Sequence, residues 1–235
     1  MTAVSKIKVY ATQPHPCSYL REEIATTLFI DPATPVDKSV YSQLSDLGFR
    51  RSGKHLYRPH CRQCNACIST RVIADEFTFK RRHRRIWNRN QDLTVEVKTS
   101  IDDDVYYALY ERYIEQRHND GDMYPASREQ YESFLTSEWK TTRYYAFHLE
   151  GNPIAVAVTD QLDSGLSAIY TFYEPALSTR SLGVYAILWQ IELAKNMGLP
   201  YLYLGYWIKS SEKMRYKLDY RPSQLLVEDQ WVTLR

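Results

Sequence analysis

Strand-like alternation of hydrophobic and polar positions is clearest in the second part of the chain. Three runs, over residues 144–149, 154–159 and 167–173, are separated by the short segments Gly151-Asn152 and Asp163-Ser164-Gly165. Connections of two or three residues with this composition join antiparallel neighbours. The pattern therefore predicts a three-stranded antiparallel meander.

Helical spacing is found on both sides of this meander. Acidic residues 102–104 begin a helix that we expect to run to about residue 116, because negative charge stabilises the start of a helix. Ser127 and Gln130 have the spacing of a capping box and predict a helix to about Trp139. After the meander, apolar residues recur at helical spacing over 184–194, before the stop signal Gly198.

The order of these elements predicts an α+β fold with a mostly antiparallel sheet. A strand over 201–206, a short helix near 211–218 and a final strand near 224–228 complete the pattern. This order is that of an acetyltransferase-like (GNAT-like) domain, which we assign to residues 93–235. Residues 1–92 contain all four cysteines and few periodic segments, so we predict a separate, small, cysteine-containing domain there.

The loop before the helix at 184–194 differs from the phosphate loop of coenzyme A enzymes. Those enzymes have the pattern Gln/Arg-x-x-Gly-x-Gly/Ala, whose backbone N–H groups bind a pyrophosphate at a helix start. Here Arg180 and Gly183 match, but Tyr185 fills the last small-residue position. We expect the tyrosine to obstruct a pyrophosphate, which favours another acyl donor. The alternative is that Gly183 only permits a tight turn.

Composition limits the class of protein. The 235 residues are 44% hydrophobic and 25% charged with a net charge of +2, which is typical of a globular protein with at most a local basic patch. The longest aliphatic stretch, 154–158, is too short to cross a bilayer, and the first residues do not resemble a secretory signal. We therefore expect a cytoplasmic monomer with no membrane partner.

The cysteines form a dense cluster in the sequence. Cys61, Cys64 and Cys67 are spaced by two residues each, and Cys17 is a candidate fourth ligand. Two-residue gaps let thiolates converge on one ion, as in zinc and iron–sulfur sites, so zinc or an iron–sulfur cluster is one expectation. The other is that these are reduced cysteines packed in the interior. The sequence leaves both open and disfavours a catalytic cysteine.

A basic run in the first part of the chain predicts nucleic-acid binding. Its core is Lys80-Arg81-Arg82-His83-Arg84-Arg85, followed by Trp87. Such a run binds phosphates, and the tryptophan could stack on a base or pack in the core. Because the whole chain is nearly neutral, the patch should be local and suit one RNA molecule.

Several motifs together resemble one family. They are Val9-Tyr10-Ala11-Thr12, His15-Pro16-Cys17-Ser18-Tyr19-Leu20, the segment Tyr57 to Cys67, Ser181-Leu182-Gly183-Val184-Tyr185, Leu204-Gly205-Tyr206-Trp207-Ile208, and Lys213 to Pro222. They cover the chain from near its start to about residue 226. The combination resembles the arginyl-tRNA–protein transferase family. The length and the Cys-x-x-Cys-x-x-Cys form are most similar to its bacterial aspartate/glutamate leucyltransferase branch.

The resemblance implies an activity. In that branch, leucine moves from leucyl-tRNA to proteins with N-terminal Asp or Glu, which creates an N-degron for protein degradation. The ester of the charged tRNA carries the driving force, so transfer requires no cofactor, and Lys80, Arg81, Arg82, Arg84 and Arg85 would hold the tRNA. The rival hypotheses are a coenzyme A-dependent N-acetyltransferase and a non-catalytic, zinc-containing RNA-binding protein.

An acidic acceptor requires a cation in the site. Arginine and lysine form charge-assisted hydrogen bonds with carboxylates, and arginine can bind both oxygens at once. The first candidates are Lys217 and Arg221, with Tyr216 and Lys217 as the expected catalytic pair. The second candidates are Arg58 and Arg71. The alternative for Lys217 and Arg221 is that they are surface charges on the last helix.

Overall fold

A small antiparallel sheet and one helix form the first part of the computed structural model, which describes residues 6–121, 123–136 and 139–235. The elements are β1 (Val9–Ala11), β2 (His15–Pro16), β3 (Ile24–Ala25), β4 (Thr27–Ile30), α1 (Lys38–Asp46), β5 (Arg50–Ser52) and β6 (His55–Pro59). The sheet has the order β1-β4-β6-β5, and β2 pairs with β3 apart from it. Asp37 begins α1, because its Oδ1 accepts a hydrogen bond from the Val40 backbone N–H at 2.8 Å.

A larger, mixed sheet forms the centre of the described part of the chain. Its strands are β7 (Ile68–Ile73), β8 (Thr94–Lys98), β9 (Thr142–Leu149), β10 (Asn152–Gln161), β11 (Gly165–Tyr173), β12 (Tyr201–Trp207), β13 (Ser223–Val227) and β14 (Gln230–Leu234). Their order is β14-β13-β7-β12-β11-β10-β9-β8. Neighbours are antiparallel, except that β11 and β12 are parallel.

Helices cover both faces of this sheet. They are α2 (Arg81–Arg89), α3 (Asp104–Arg117), α4 (Arg128–Leu135) and α5 (Leu182–Asn196), with 3-10 segments at Pro175–Arg180 and Glu212–Asp219. In β9, Tyr144 and Ala146 pack with α3 and α4, whereas Tyr145 and Phe147 pack with α5. Both faces of the central strands are therefore buried, as their nearly continuous apolar sequences require. None of these described helices is long and apolar enough to span a bilayer.

The α+β class and the antiparallel meander are confirmed. The helices expected over 102–116 and 184–194 and the strand over 201–206 are present with small shifts of their ends. Ser127 accepts a hydrogen bond from the Gln130 backbone N–H at 3.1 Å, but α4 ends at Leu135. The expected continuation toward Trp139 crosses residues 137–138, which lie outside the described residues.

The first 92 residues contain more regular structure than their sequence indicated. Their strands are short, and α1 and α2 carry few apolar residues, so no clear period was visible. The last strand of this part, β7, pairs with β12 and β13 of the large sheet. A division of the chain near residue 92 stays a prediction. The final strand expected near 224–228 is β13, and it is followed by β14, which the sequence did not indicate.

A buried ion pair joins the small sheet to the large one. Arg51, on β5, donates from Nε to Asp160 Oδ2 at 2.5 Å and from its second terminal nitrogen to Oδ1 at 3.1 Å. Both side chains are 0% exposed. Asp160 also accepts from the hydroxyls of Tyr41 and Thr142, each at 2.7 Å. The carboxylate is thus fully hydrogen-bonded, which offsets the cost of burying two charges.

Asp160→Asn is expected to destabilise the protein by about 3–5 kcal/mol, because it leaves the Arg51 guanidinium buried without a counter-charge. Urea unfolding followed by circular dichroism measures this. The matched control is Asp163→Asn, which breaks the exposed pair with Lys38 and should cost under about 1 kcal/mol. Equal losses in the two variants would contradict the special role of the buried pair.

Candidate functional site

A wedge opens between the two parallel strands of the large sheet. β11 and β12 pair only at Gly165–Ser167 with Tyr201–Tyr203. Beyond this point each strand pairs only with its outer neighbour, β11 with β10 as far as Tyr173 and β12 with β7 as far as Trp207. Backbone groups on the inner edges of the wedge therefore need partners other than a strand.

The Arg50 side chain crosses the narrow end of the wedge. It donates to Ser167 Oγ at 2.9 Å and to the Ala168 carbonyl at 2.7 Å, both on β11. It is buried, with 7% of its surface exposed. Arg50 begins β5, so the small sheet positions this cation over the large one.

Gly205 makes room for Arg50 on the opposite strand. It has a φ of +80°, which glycine adopts without strain, and it follows an irregularity in the pairing of β12 with β7. A Cβ atom at this position would lie 3.2 Å from Arg50 Nε. A side chain at position 205 would therefore require the guanidinium to move.

Lys217 contacts the β12 side of the wedge. Its Nζ donates to the Tyr206 carbonyl at 2.5 Å, and the residue is 8% exposed. Burial, reinforced by the positive charge of Arg50 and partly offset by Cys67, lowers the pKa of Lys217 to about 7. Lys217 is thus a buried amine that can be neutral near neutral pH, which differs from the alternative of a surface charge.

Tyr216 lies beside the same two cations. Burial raises the pKa of its hydroxyl, while the charge of Arg50 acts in the opposite direction and Tyr173, at the end of β11, raises it further. The residue as a whole is 42% exposed, so it lies at the boundary between the wedge and solvent. Arg50, Lys217, Tyr216 and Tyr173 therefore form a group around the wedge, which we call the wedge cluster.

The other cations proposed for the acceptor lie outside this group and have partners. Arg221 is exposed and donates to the carbonyls of Leu218 and Arg235 at 3.1 Å each. Arg58 binds Asp229 at 2.9 Å, and Arg71 binds Asp46 at 2.7 Å. Arg71 also stacks on Tyr201 and Trp231, at 3.6 and 4.0 Å from the ring centroids.

The start of α5 differs from the expectation for Tyr185. Its ring is buried, with centroids 5.5 Å from those of Trp87 and Phe147, so it does not project over the helix start. The expectation that its side chain obstructs a pyrophosphate is wrong. Arg180 is held by Asp92, at 2.9 and 2.8 Å from its two oxygens. A Cβ atom on Gly183 would lie 3.2 Å from the Tyr173 ring, so a side chain there would require this ring to shift by a few tenths of an ångström.

The basic run forms α2 and presents most of its arginines to solvent. Arg81 and Arg85 are exposed, and neither side chain makes a hydrogen bond or an ion pair among residues 6–121, 123–136 and 139–235. Arg82 pairs with Asp219 at 3.0 Å, Arg84 donates to the Phe79 carbonyl at 2.6 Å, and Lys80 donates to the Asp219 carbonyl at 3.4 Å.

One member of the run, His83, and the tryptophan that follows the run are packed inside. His83 is fully buried and stacks between Phe77 and Tyr220, with centroids 5.5 and 5.8 Å away. Burial, together with its basic neighbours, lowers its pKa, so it does not extend the basic surface. Trp87 packs against Phe79 at 5.2 Å, which decides between the stacking and packing alternatives in favour of packing.

The four cysteines lie near one another as free thiols. Burial, followed by the neighbouring Cys17, Cys61 and Cys64, raises the pKa of Cys67 to about 12. No three His, Cys, Asp or Glu side chains within the described ranges are arranged to hold a metal ion. The thiols are chemically suited to zinc or an iron–sulfur cluster, so such a group stays a prediction, and no reaction step is assigned to it.

Comparison with protein families identifies the chain. The model described as "Arginine-tRNA-protein transferase, C terminus" matches residues 105–227, and the corresponding N-terminus model matches residues 15–85. The chain belongs to the arginine-tRNA–protein transferase family. The C-terminal match contains the wedge strands and Lys217, whereas the N-terminal match contains Arg50, the cysteines and most of α2.

Individual members of this family match the whole chain. The aspartate/glutamate leucyltransferase of Pseudomonas fluorescens (strain Pf0-1) is 56% identical over 234 residues, 100% of both chains. The aspartate/glutamate leucyltransferase of Teredinibacter turnerae is 55% identical over 235 residues, which are 100% of this chain and 97% of that protein. Among solved structures, L-PGS from Bacillus licheniformis has a TM-score of 0.48 and 14% identity over 73% of this chain and 50% of that one.

Of the residues in the wedge cluster, Lys217 and Tyr216 were candidates from the sequence, whereas Arg50 was not. Arg50 and Arg51 form an ordinary basic pair on a strand of three residues, with no motif around them. One signal was available. Successive side chains of a strand point to opposite faces, so the adjacent arginines face different surroundings, and a buried arginine requires a specific partner.

The lowered pKa of Lys217 predicts a pH-dependent stability. The unfolded chain binds the Lys217 proton up to about pH 10.5 and the folded protein only to about pH 7, so the free energy of unfolding should rise with pH across that window. Between pH 7 and 9 we expect the free energy of unfolding of the wild type to rise by about 2 kcal/mol relative to that of Lys217→Met. Urea unfolding in the presence of a reductant measures it.

The control for this experiment is Lys209→Met, which removes an exposed lysine close by in the sequence. Its difference from wild type should stay flat over the same pH range, because an exposed amine is hydrated in both states. A flat difference for Lys217→Met as well would mean that the buried amine keeps its ordinary pKa.

Proposed function

We propose that the protein is an aminoacyl-tRNA–protein transferase that moves leucine from leucyl-tRNA to the N-terminal Asp or Glu of other proteins, creating an N-degron. The observation that carries this proposal is the 55–56% identity, over the whole chain, to relatives named aspartate/glutamate leucyltransferase. The charged tRNA and the acceptor proteins are then its partners, and the cytoplasm, where tRNA is charged, is the compartment.

The wedge cluster supports the chemistry of this reaction. The acceptor's α-ammonium has a pKa of about 8, so a base with a pKa near 7 can remove its proton. Lys217, as the neutral amine, is our candidate to take that proton. The free amine then attacks the ester carbonyl of leucyl-tRNA, a C–N bond forms and the C–O bond to the ribose breaks. Of the two protons that the nitrogen loses on the way from ammonium to amide, one passes through Lys217 to the departing ribose oxygen and the other is released to solvent.

Tyr216 is the candidate to orient the acceptor in this step. Its hydroxyl, whose raised pKa keeps it protonated, can donate a hydrogen bond to a reacting group. The energy for transfer is already in the ester, so neither ATP nor a covalent enzyme intermediate is required. The main task of the protein is to hold amine and ester together, which converts a bimolecular reaction into an effectively unimolecular one.

An acetyltransferase-like scaffold also belongs to the proposal. The meander β9-β10-β11, helix α5 and the parallel strand β12 follow in the order expected of such a fold. Two residues of the donor loop have partners within the chain. Arg180 forms an ion pair with Asp92, and Gly183 packs against the Tyr173 ring. This supports a donor other than coenzyme A. A metal or cluster on the four cysteines stays a prediction.

A transfer assay tests the proposed function. Labelled leucine should pass from leucyl-tRNA to a peptide beginning with Asp or Glu, without added ATP or coenzyme A, and arginyl-tRNA should be a poor donor. Transfer of acetyl groups from acetyl-coenzyme A would favour an N-acetyltransferase. Binding of tRNA without transfer from either charged tRNA would favour a non-catalytic RNA-binding protein.

The exposed arginines of α2 generate a second test. Changing Arg81, Arg82, Arg84 and Arg85 together to Ala should weaken tRNA binding and flatten its salt dependence, by about one unit of slope for each lost phosphate contact. Arg81→Ala and Arg85→Ala alone should have the larger single effects, since Arg82 and Arg84 already donate within the chain.

The matched control is Arg128→Ala. It removes an exposed arginine that lies outside α2, in α4, and pairs with Asp104. The slope of log affinity against log salt concentration is the measurement. An unchanged slope for the fourfold variant would place the path of the tRNA elsewhere.

A further inference from the structure

Arg50 and Arg51 are consecutive, both buried, and differently compensated. Arg51 has a buried carboxylate, Asp160, bound through two hydrogen bonds. Arg50 donates only to a hydroxyl and a backbone carbonyl, and no carboxylate lies within 4.0 Å of its guanidinium in the described part of the chain. A buried charge without a counter-charge is costly, so the site is incomplete without an anion.

The surroundings of Arg50 add positive charge. The one carboxylate that shares a described neighbour with it is Asp160, which acts with Arg50 on Tyr41 and is already bound by Arg51, Tyr41 and Thr142. The charged or titratable groups that act on Lys217 are Arg50 and Cys67, and those that act on Tyr216 are Arg50 and Tyr173. Tyr57 and Tyr206, which face Arg50 from β6 and β12, are influenced by Arg50 and by Cys67 but by no Asp or Glu. The wedge therefore attracts an anion, and no carboxylate of the described residues pairs with Arg50.

We propose that Arg50 binds the side-chain carboxylate of the acceptor's N-terminal Asp or Glu and thereby sets the acceptor selectivity of the enzyme. This inference rests on the proposed transfer function. It replaces Lys217, Arg221, Arg58 and Arg71 in that role. Arg58 and Arg71 already bind carboxylates of the chain, Arg221 lies outside the wedge cluster, and Lys217 is a buried amine suited to proton transfer.

The geometry of Arg50 suits this task. A guanidinium has five N–H donors, and the contacts with Ser167 and Ala168 use two of them. These contacts fix the plane of the guanidinium and leave donors for a carboxylate, which arginine binds in a forked arrangement. Lys217 and Tyr216 lie beside it, so an acceptor held by its side chain presents its α-amine to the reacting groups.

Selectivity follows from the missing counter-charge. An acceptor beginning with Asn or Gln has nearly the same shape as one beginning with Asp or Glu, but it leaves Arg50 buried and unpaired. We expect the wild-type enzyme to prefer an Asp-initiated peptide over the matching Asn-initiated peptide by about a hundredfold in kcat/KM, which is the usual scale for an unpaired buried charge.

The experiment compares matched Asp- and Asn-initiated peptides, in transfer and in binding. With saturating leucyl-tRNA, Arg50→Met should lower kcat/KM for the Asp peptide about a hundredfold and bring the ratio close to one, with the tRNA affinity unchanged. Arg50→Lys, which keeps the charge but not the fork, should retain part of the ratio. Arg128→Met, at an exposed arginine paired with Asp104, is the matched control and should retain it fully.

Titration of the two peptides without tRNA separates this inference from the proposed function. If the wild type transfers nothing but binds the Asp peptide more tightly, and Arg50→Met removes that preference, the transfer function fails and the Arg50 site stands. If the wild type transfers leucine and Arg50→Met keeps the full ratio, Arg50 is not the acceptor cation. Equal losses for both peptides would place Arg50 on the reacting ester and overturn the inference.

Folding of the variants is checked by thermal unfolding. Should Arg50→Met not fold, Ser167→Ala provides the test, because it removes one anchor of the guanidinium while keeping the charge. It should reduce the Asp/Asn ratio several-fold at unchanged tRNA affinity. The inference is overturned if Ser167→Ala and Arg50→Lys keep the wild-type Asp/Asn ratio of kcat/KM while Arg58→Met or Arg71→Met loses it. The acceptor's carboxylate would then be bound by Arg58 or Arg71.

Discussion

The parting of β11 from β12 after three paired residues is the constraint on which the site depends. Two strands that separate inside a protein expose backbone carbonyls that must be hydrogen-bonded, because an unpaired buried polar group is costly. The Ala168 carbonyl on one edge accepts a hydrogen bond from Arg50, and the Tyr206 carbonyl on the other edge accepts one from Lys217. The two cations of the wedge are therefore also what completes the hydrogen bonding of the sheet.

This double role explains why the small sheet is attached firmly to the large one. Arg50 reaches the wedge only if β5 is held in place, and the adjacent Arg51 holds it through Asp160 on β10. Tyr206 contributes from the other strand, since its hydroxyl donates to the Gly48 carbonyl at 2.8 Å. A site formed by residues far apart in the chain is thus supported by rigid neighbours at each side, which is what preorganised binding requires.

The sequence predicted the second half of the fold better than the first. Its meander and α5 have long, strongly periodic segments, and their identity depends on local pattern alone. The elements around Arg50 could not be found in this way, since β5 and β6 are three and five residues long and their burial results from contacts with distant strands. Tyr185 illustrates the same limit, because whether its ring faces a ligand or the core depends on where Trp87 and Phe147 lie.

The two wedge cations have complementary chemistry. Arginine remains charged at any physiological pH, so the positive charge of Arg50 is constant, and that charge together with burial lowers the pKa of Lys217 to about 7. An anion bound to Arg50 would reduce this repulsion and raise the proton affinity of Lys217 at the moment when an acidic acceptor is present. A higher proton affinity makes the neutral amine a stronger base, but it also increases the fraction of Lys217 that is already protonated at neutral pH. A bound acidic acceptor would therefore change both the strength of this base and the fraction of it that is available.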